Sequence, residues 1–323
     1  MNLKKSFKYL LQPKKIEENL CDQFSGAKRW VFNWGLDQRK KMWENDKKGV
    51  SFFDQNNELV LLKKREGLSW LKMIHSQVLQ QGLCDLDKAF QNFFNGYKKN
   101  IKVGYPHFKC KGIKDSFRFP QGVKVNENKV WLPKIGWIKF KKTREIEGEI
   151  KQTTVIKERD KWYVVFSCEI EKETPRVNID PKKTVGIDLG LKYFANLAIG
   201  EKNHFVTVEN PKYLRKALKK LQFLSRYLAK KKKGGKNRYK ARKKLSYLHY
   251  YLKNLRLDFF HKLALSIVKS HDIIGVEKMN IKAMMQGLKN LSRSISDAAW
   301  GMFLNCLKNK AIEYGKNLYE VSS

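Results

Sequence analysis

Two acids sit in stretches that are otherwise apolar. Asp188 lies within TVGIDLGLKYFANLAI (184–199), flanked by Val185, Ile187 and Leu189 and by Gly186 and Gly190, and Glu277 lies within HDIIGVEKMN (271–280). A carboxylate inside an apolar strand carries a desolvation cost unless it is paired or bound to a cation. For Asp188 alone, a strand edge facing water explains the residue as well as a metal does. The second acid-bearing strand favours the metal, because two acids on neighbouring strands can hold divalent cations that activate water and stabilise a leaving oxygen. Such positioning requires a hairpin over 184–199, with its second strand from Phe194 to Ile199, and a further strand over 271–280 beside it.

The chain that must build this arrangement has 323 residues, 42% of them hydrophobic, enough for a sizeable core and two or three domains. Its 68 Lys and Arg against 31 Asp and Glu leave a net charge of +37, which implies a polyanionic partner. No apolar run reaches 18 residues, and the N-terminal MNLKKSFKYLLQPKK lacks an apolar h-region and a cleavage site. A nucleic acid is therefore a better partner than a membrane surface, and no membrane role is expected. Aromatic residues, 12% of the chain, can stack exposed bases where they interleave with cations, although most belong to the core. Cys21, Cys84, Cys110, Cys168 and Cys306 form no CxxC pair, which points to a reducing cytoplasm, no disulfide framework and no zinc ribbon of the usual spacing.

From the N-terminus, Lys4 to Leu11 reads as a strand bounded by Pro13, and residues 14 to about 100 read as helical. Leu20, Phe24, Ala27, Val31 and Trp34, then Ile74, Val78, Leu79, Leu83, Leu86, Ala89, Phe90, Phe93 and Phe94, recur at helical spacing as packing stripes. Ser76, Gln77, Gln80 and Gln81 form an amide-rich polar stripe that could read adenine edges in a major groove or could simply be solvated. From Val103 the texture changes to short strands with turns at 126–129 and 158–161, an all-β module in which Trp162, Val164, Phe166 and Cys168 alternate with Tyr163, Val165 and Ser167. The first strand has no local partner. It is expected to return to this module, which makes the helical block an insertion into a small barrel. Within the module, Lys109, Lys111, Lys114 and Arg118 stand among Phe108, Phe117 and Phe119, a pattern that favours phosphate contact over a merely solvated loop.

Between the two acid-bearing strands, 211–257 holds 18 Lys and Arg and no acid. Leu214, Leu218, Leu221, Leu224 and Leu228, then Leu245, Leu248, Leu252 and Leu255, give each half one apolar stripe, and Gly234-Gly235 separates the halves. This is a helical hairpin with a cationic outer face. Without acids to relieve repulsion, Lys230, Lys231, Lys232, Lys233, Lys236, Arg238, Lys240, Arg242, Lys243 and Lys244 require an array of phosphates more than they require water.

In their order along the chain, SQVLQQGLCDLDKAFQNFF, YPHFKCKGIKDSFRF, GIDLGLKYFANLA, the basic hairpin, GVEKMNIKAMM and SISDAAWGMFLNCLKNKAIEYG resemble the TnpB family of transposon-encoded RNA-guided nucleases over nearly the whole sequence. The resemblance implies a multidomain α+β protein. A wedge β-barrel (1–12 plus 103–180) would carry an inserted helical recognition domain (13–102), followed by a RuvC-like RNase H fold (181–323) with the basic hairpin. It implies a guide RNA, a double-stranded DNA target and a short flanking motif read by the wedge and recognition domains. Asp188 and Glu277 fall on the first and second RuvC carboxylates.

The family pattern continues into a zinc ribbon and a third catalytic Asp, whereas this sequence ends at Ser323. Downstream of Glu277 stand only Asp297, Glu313 and Glu320, and Ser296 or Asp297 reads as an N-cap for a helix over 298–314. Two side chains hold a divalent pair poorly, while the basic surfaces are intact. The sequence is thus most similar to the nuclease-dead repressors of this family. It is expected to be a monomeric, cytoplasmic, nucleoid-associated bacterial protein that binds guide RNA and DNA, with no functional catalytic residue, no zinc and no resident metal. The enzyme alternative is an active endonuclease using Mg2+ at Asp188 and Glu277, and a third alternative is a protein that binds or processes RNA alone.

Overall fold

The structure is a computed structural model that describes residues 2–101, 103–112, 115–171, 180, 182–200 and 204–322. These form two compact units, one ending at Glu171 and one comprising the described residues after it.

In the first unit, strand β1 (Asn2–Gln12) is followed by helices α1 (Lys15–Asp46) and α2 (Phe52–Leu62), a short 3-10 turn (Ser69–Met73) and α3 (Ser76–Lys98). Six strands then complete a sheet: β2 (Ser116–Phe119), β3 (Lys124–Asn126), β4 (Lys129–Leu132), β5 (Gly136–Lys141), β6 (Glu149–Glu158) and β7 (Lys161–Glu171). All pairings are antiparallel, in the order β2-β6-β7-β1-β5-β4-β3. β1 therefore lies in mid-sheet, with Phe7 opposite Phe166 and Tyr9 opposite Val164. Period-two alternation buries Phe7, Tyr9 and Leu11 on β1 and Trp162, Val164, Phe166 and Cys168 on β7.

Where a small barrel was expected, the described strands form an open half-barrel whose edge strands β2 and β3 do not pair with each other. The helical insertion shares one core with this sheet. Phe24 and Val31 of α1 and Val78, Leu79 and Leu83 of α3 cluster with Phe117, Phe119 and Trp162, and the Phe24 and Phe117 rings lie 5.4 Å apart. The apolar stripes of α1 and α3 thus cover a sheet face that closure would have sealed. α1 and α3 meet at backbone distance, since a Cβ at Gly82 would stand 2.9 Å from the Lys28 carbonyl oxygen.

The second unit holds β8 (Thr184–Leu189), β9 (Tyr193–Ile199), β10 (His204–Glu209), α4 (Tyr213–Ala229), α5 (Lys236–Ser270), β11 (Ile273–Glu277), α6 (Ile281–Gly287), α7 (Ser292–Ala298), α8 (Trp300–Tyr314) and β12 (Asn317–Val321). Its sheet order is β10-β9-β8-β11-β12. The first three strands form an antiparallel meander, and β8, β11 and β12 run parallel with helices as crossovers. Val185, Ile187, Leu189, Ile274 and Val276 face the core with Phe260, Ala264, Ile267 and Val268 of α5 and Phe303, Leu307 and Ala311 of α8.

The second hairpin helix extends beyond 257 to Ser270. Its first half packs Leu248 and Leu252 against Leu221 of α4, while its second half turns a new apolar face to the sheet. The helix expected over 298–314 is divided at Ala299, whose φ of 53° separates α7 from α8.

Candidate functional site

The register that aligns Ile187 with Val276 on parallel strands makes Asp188 and Glu277 the next neighbours across β8 and β11. Alternation sends Val185, Ile187 and Leu189 inward and Gly186 and Asp188 outward, and likewise buries Val276 and exposes Glu277. Both acids are exposed, so neither carries the burial cost that an apolar flank suggests. They line one cleft of about 550 Å³ with Gly186, Ile187, Asn196, Ala198 and Phe205. Gly186 and Gly275 are paired in register beside the acids. A Cβ at either would approach nothing closer than 3.9 Å, leaving a floor of bare backbone.

Asn196 lies opposite Asp188 on β9 and donates from Nδ2 to Asp188 Oδ2 at 3.2 Å. Sequence reading passed over Asn196, although the hairpin register implied by a turn near Leu191 and Lys192 would place it there. Asp188, Glu277 and the Asn196 amide are hard oxygen donors that fit Mg2+ or Mn2+ better than zinc. Among the described residues, no group of three or more His, Cys, Asp or Glu is placed to hold a metal. Burial pushes the Cys21 thiol up to about 12, the state of an inert core thiol.

Asp297, the nearest sequence candidate for a third acid, stands elsewhere. It is buried and accepts hydrogen bonds from the Leu214 and Arg215 amides, at 2.8 and 2.9 Å, and from Arg256 at 3.2 Å. It therefore caps α4 from a distance and does not cap the helix that follows it. The N-cap position of α4 is Lys212, which makes no side-chain cap bond, so the first-turn amides need an outside acceptor. Asp297 lines a separate cleft of about 1050 Å³ where Lys192, Lys289 and Arg293, cations that sequence reading did not single out, meet Lys212 and Arg215 of the basic run.

On α3, Ser76 and Gln80 are exposed on one face, and Ser76 Oγ accepts from Lys63 Nζ at 3.0 Å. Gln77 is half-buried with its Oε1 atom enclosed, because a 100° step per residue moves it off the outer face. Arg118 is not free for phosphate. It donates to Gln81 and, at 2.7 Å, to Asp85, which also pairs with Lys28 at 2.7 Å. Burial pushes the Asp85 carboxyl upward, but Lys28, Arg118 and Lys109 outweigh it and hold the group below its ordinary value. Lys109 places its ammonium 3.5 Å from the Phe32 ring centroid, while its backbone N–H and C=O both bond the Asn33 amide. Lys111 is exposed, and Lys114 lies outside the described residues.

On the hairpin, Lys230, Lys232, Lys233, Lys236, Lys240, Arg242 and Lys244 are exposed, and Lys231 and Lys243 are half-buried. Arg238 instead donates to the carbonyls of Leu228 and Lys231, at 2.9 and 3.0 Å, closing the end of α4. No helix among the described residues is long and apolar enough to cross a membrane.

The first unit is thus a half-barrel sheet with a helical insertion, and the second a mixed sheet that carries two exposed acids and a cationic helical hairpin. Residues 165–287 match a family described as "Probable transposase", the OrfB protein of IS605-type elements. Residues 1–48 match one described as "Helix-turn-helix domain", although here they form one strand and one long helix. The chain is 33% identical to "Putative RNA-guided DNA endonuclease InsQ" of Escherichia coli K12, covering 91% of this chain and 74% of that one. It is 31% identical to a "Putative RNA-guided DNA endonuclease" of Streptomyces pristinaespiralis, covering 98% and 77%. A solved structure, a Cas12f1-sgRNA-target DNA complex, aligns over 99% of this chain and 85% of its own at 13% identity, with a TM-score of 0.32. The chain belongs to the TnpB family of IS605-type OrfB proteins.

Proposed function

We propose that the 323-residue chain is an RNA-guided DNA-binding protein that occupies a guide-complementary target beside a short flanking motif without cutting it, and so represses transcription. In this reading the sheet of the first unit serves as the wedge, α1 to α3 as the recognition element and the second unit as the RuvC-like RNase H fold. The protein acts as a cytoplasmic, nucleoid-associated monomer. Guide pairing supplies sequence discrimination while the protein reads duplex shape and the flank.

The observation that carries the absence of cutting is the cleft. Asp188 and Glu277 stand side by side, and no third acid joins them among the described residues. Asp297 is committed to the amides of α4 and to Arg256. The cleft also favours a second reading, cleavage, because both acids are exposed there with an oxygen-donor set suited to Mg2+. When bound, Mg2+ would activate water and stabilise a leaving oxygen. Asp188 and Glu277 would hold it, with Asn196 orienting Asp188 from the paired strand.

The deciding experiment is incubation of the guide-loaded protein with target DNA at full occupancy in Mg2+ or Mn2+. Bound and intact DNA, with binding unchanged in an Asp188→Ala/Glu277→Ala double variant, is the expected result. Guide-dependent nicking that Asp188→Ala abolishes would establish the endonuclease reading. Protein that carries no RNA and binds DNA without a guide would refute both.

A further inference from the structure

The outer face of the basic hairpin carries large aromatic rings where a solvated helix would carry small or polar side chains. On α4, Leu221, Leu214, Ala217 and Leu224 pack toward α5. A row outside that stripe, four residues per step, reads Lys219, Phe223 and Tyr227, with Lys231 just past the end of the helix. Phe223 is 66% exposed, its ring lies nearly parallel to that of Tyr227 with planes 16° apart, and the Lys231 ammonium sits 4.4 Å from the Tyr227 ring centroid. On α5, Tyr239 and Tyr251, two members of a similar row, are 57% and 58% exposed, and the Arg242 guanidinium lies 5.7 Å from the Tyr239 ring.

We propose that the outer sides of the two helices are stacking platforms for unpaired stretches of RNA. Rings exposed to water at this size mark a binding surface, and the exposed cations of 211–257, a run with no acid of its own, select a polyanionic occupant. A duplex satisfies the cations but hides its base faces. Unpaired nucleotides present a base face to each ring and a phosphate to each neighbouring cation, and every base stacks regardless of sequence. Tyr227, Tyr239 and Tyr251 also carry phenol hydroxyls able to reach a ribose 2′-OH, the group that distinguishes RNA from DNA. The proposal rests on the RNA-guided reading only in assigning that stretch to the guide.

The test uses the full protein, stripped of RNA, and an unstructured polyuridine RNA titrated over a range of salt. Phe223→Leu/Tyr227→Leu and Tyr251→Leu remove rings without altering charge, Tyr251→Phe keeps the ring, and Lys220→Gln removes an exposed cation of α4 alone. Each lost ring is expected to weaken polyuridine binding about tenfold at every salt concentration. Lys220→Gln should instead flatten the salt slope by about one contact. Tyr251→Phe should retain the ring's contribution, and duplex RNA should bind all ring variants like the wild type. The proposal is overturned if ring removal leaves polyuridine affinity unchanged or weakens duplex binding equally. Equal binding of a matching single-stranded DNA, or displacement of polyuridine by anionic vesicles at equivalent charge, also overturns it. No DNA target is present, so loss of guide-directed DNA occupancy in a separate assay would refute the functional reading and leave the platform standing.

Discussion

Replacing Asp297 separates a structural acid from a catalytic one. Its carboxylate accepts from two first-turn amides of α4 and from Arg256, whose side chain is only 17% exposed. An Asp297→Ala change removes a cap worth about 1 kcal/mol and leaves a mostly buried guanidinium without its anion, which costs about 2–3 kcal/mol more. The expected loss is therefore about 3–4 kcal/mol. Asp297→Asn retains one amide acceptor and should lose about half of that. Urea unfolding measures the total. Hydrogen exchange at the Leu214 and Arg215 amides localises it, and these should lose protection before the sheet does. Wild-type stability and exchange in Asp297→Ala, combined with loss of Mn2+ binding at the Asp188–Glu277 cleft, would show that the acid serves the metal and that the capping argument is wrong.

Asp272 supplies a pH-dependent counterpart. It is buried at the head of β11, bonds Lys316, and accepts from the Asp180 amide at 3.1 Å; the Lys316 bond chiefly holds its carboxyl below the ordinary value. A depressed carboxyl stabilises the fold above its unfolded value. Asp272→Asn should therefore cost about 3 kcal/mol at neutral pH, and the gap to wild type should close as pH falls below about 4 in denaturation curves. Gly82→Ala should destabilise the first unit by about 1–3 kcal/mol in urea melts, since its Cβ would stand 2.9 Å from a backbone oxygen. Gln80→Ala should relax flank preference in a randomised-flank binding screen, Gln80 being exposed on the outer face of α3.

Strand identity was legible wherever one face is buried. The alternation of Phe7, Tyr9 and Leu11, and of Trp162 to Cys168, follows from a side-chain period of two, and so does the outward aim of Asp188 beside inward Ile187. Helix identity was legible for the same kind of reason, down to the leucine stripes that join α4 to α5. Length was less so. α5 changes its packing face near Leu257, and the leucine stripe ends there although Phe260, Ala264, Ile267 and Val268 continue the helix toward the sheet.

Among charged residues, sequence reports sign and density but not the partner, and the partner decides the role. Arg118 and Arg238 look like their neighbours in a basic run, yet one is bound by Asp85 and the other closes the turn after α4. Both are arginines, and a planar fork of donors suits a carboxylate or a pair of carbonyls better than an ammonium does. The lysines around Arg238 lack that geometry and are mostly exposed. Arg118 and Arg238 are therefore internal fasteners, while the exposed Arg242, the lysines and the rings among them form the surface left for a polyanion. That order of assignment makes a direct comparison possible: Arg238→Lys should loosen the hairpin, seen as faster exchange at the end of α4, and Lys240→Gln should leave exchange unchanged while lowering the salt slope of RNA binding. Equal effects of the two on exchange would show that the arginine is no more structural than its neighbours.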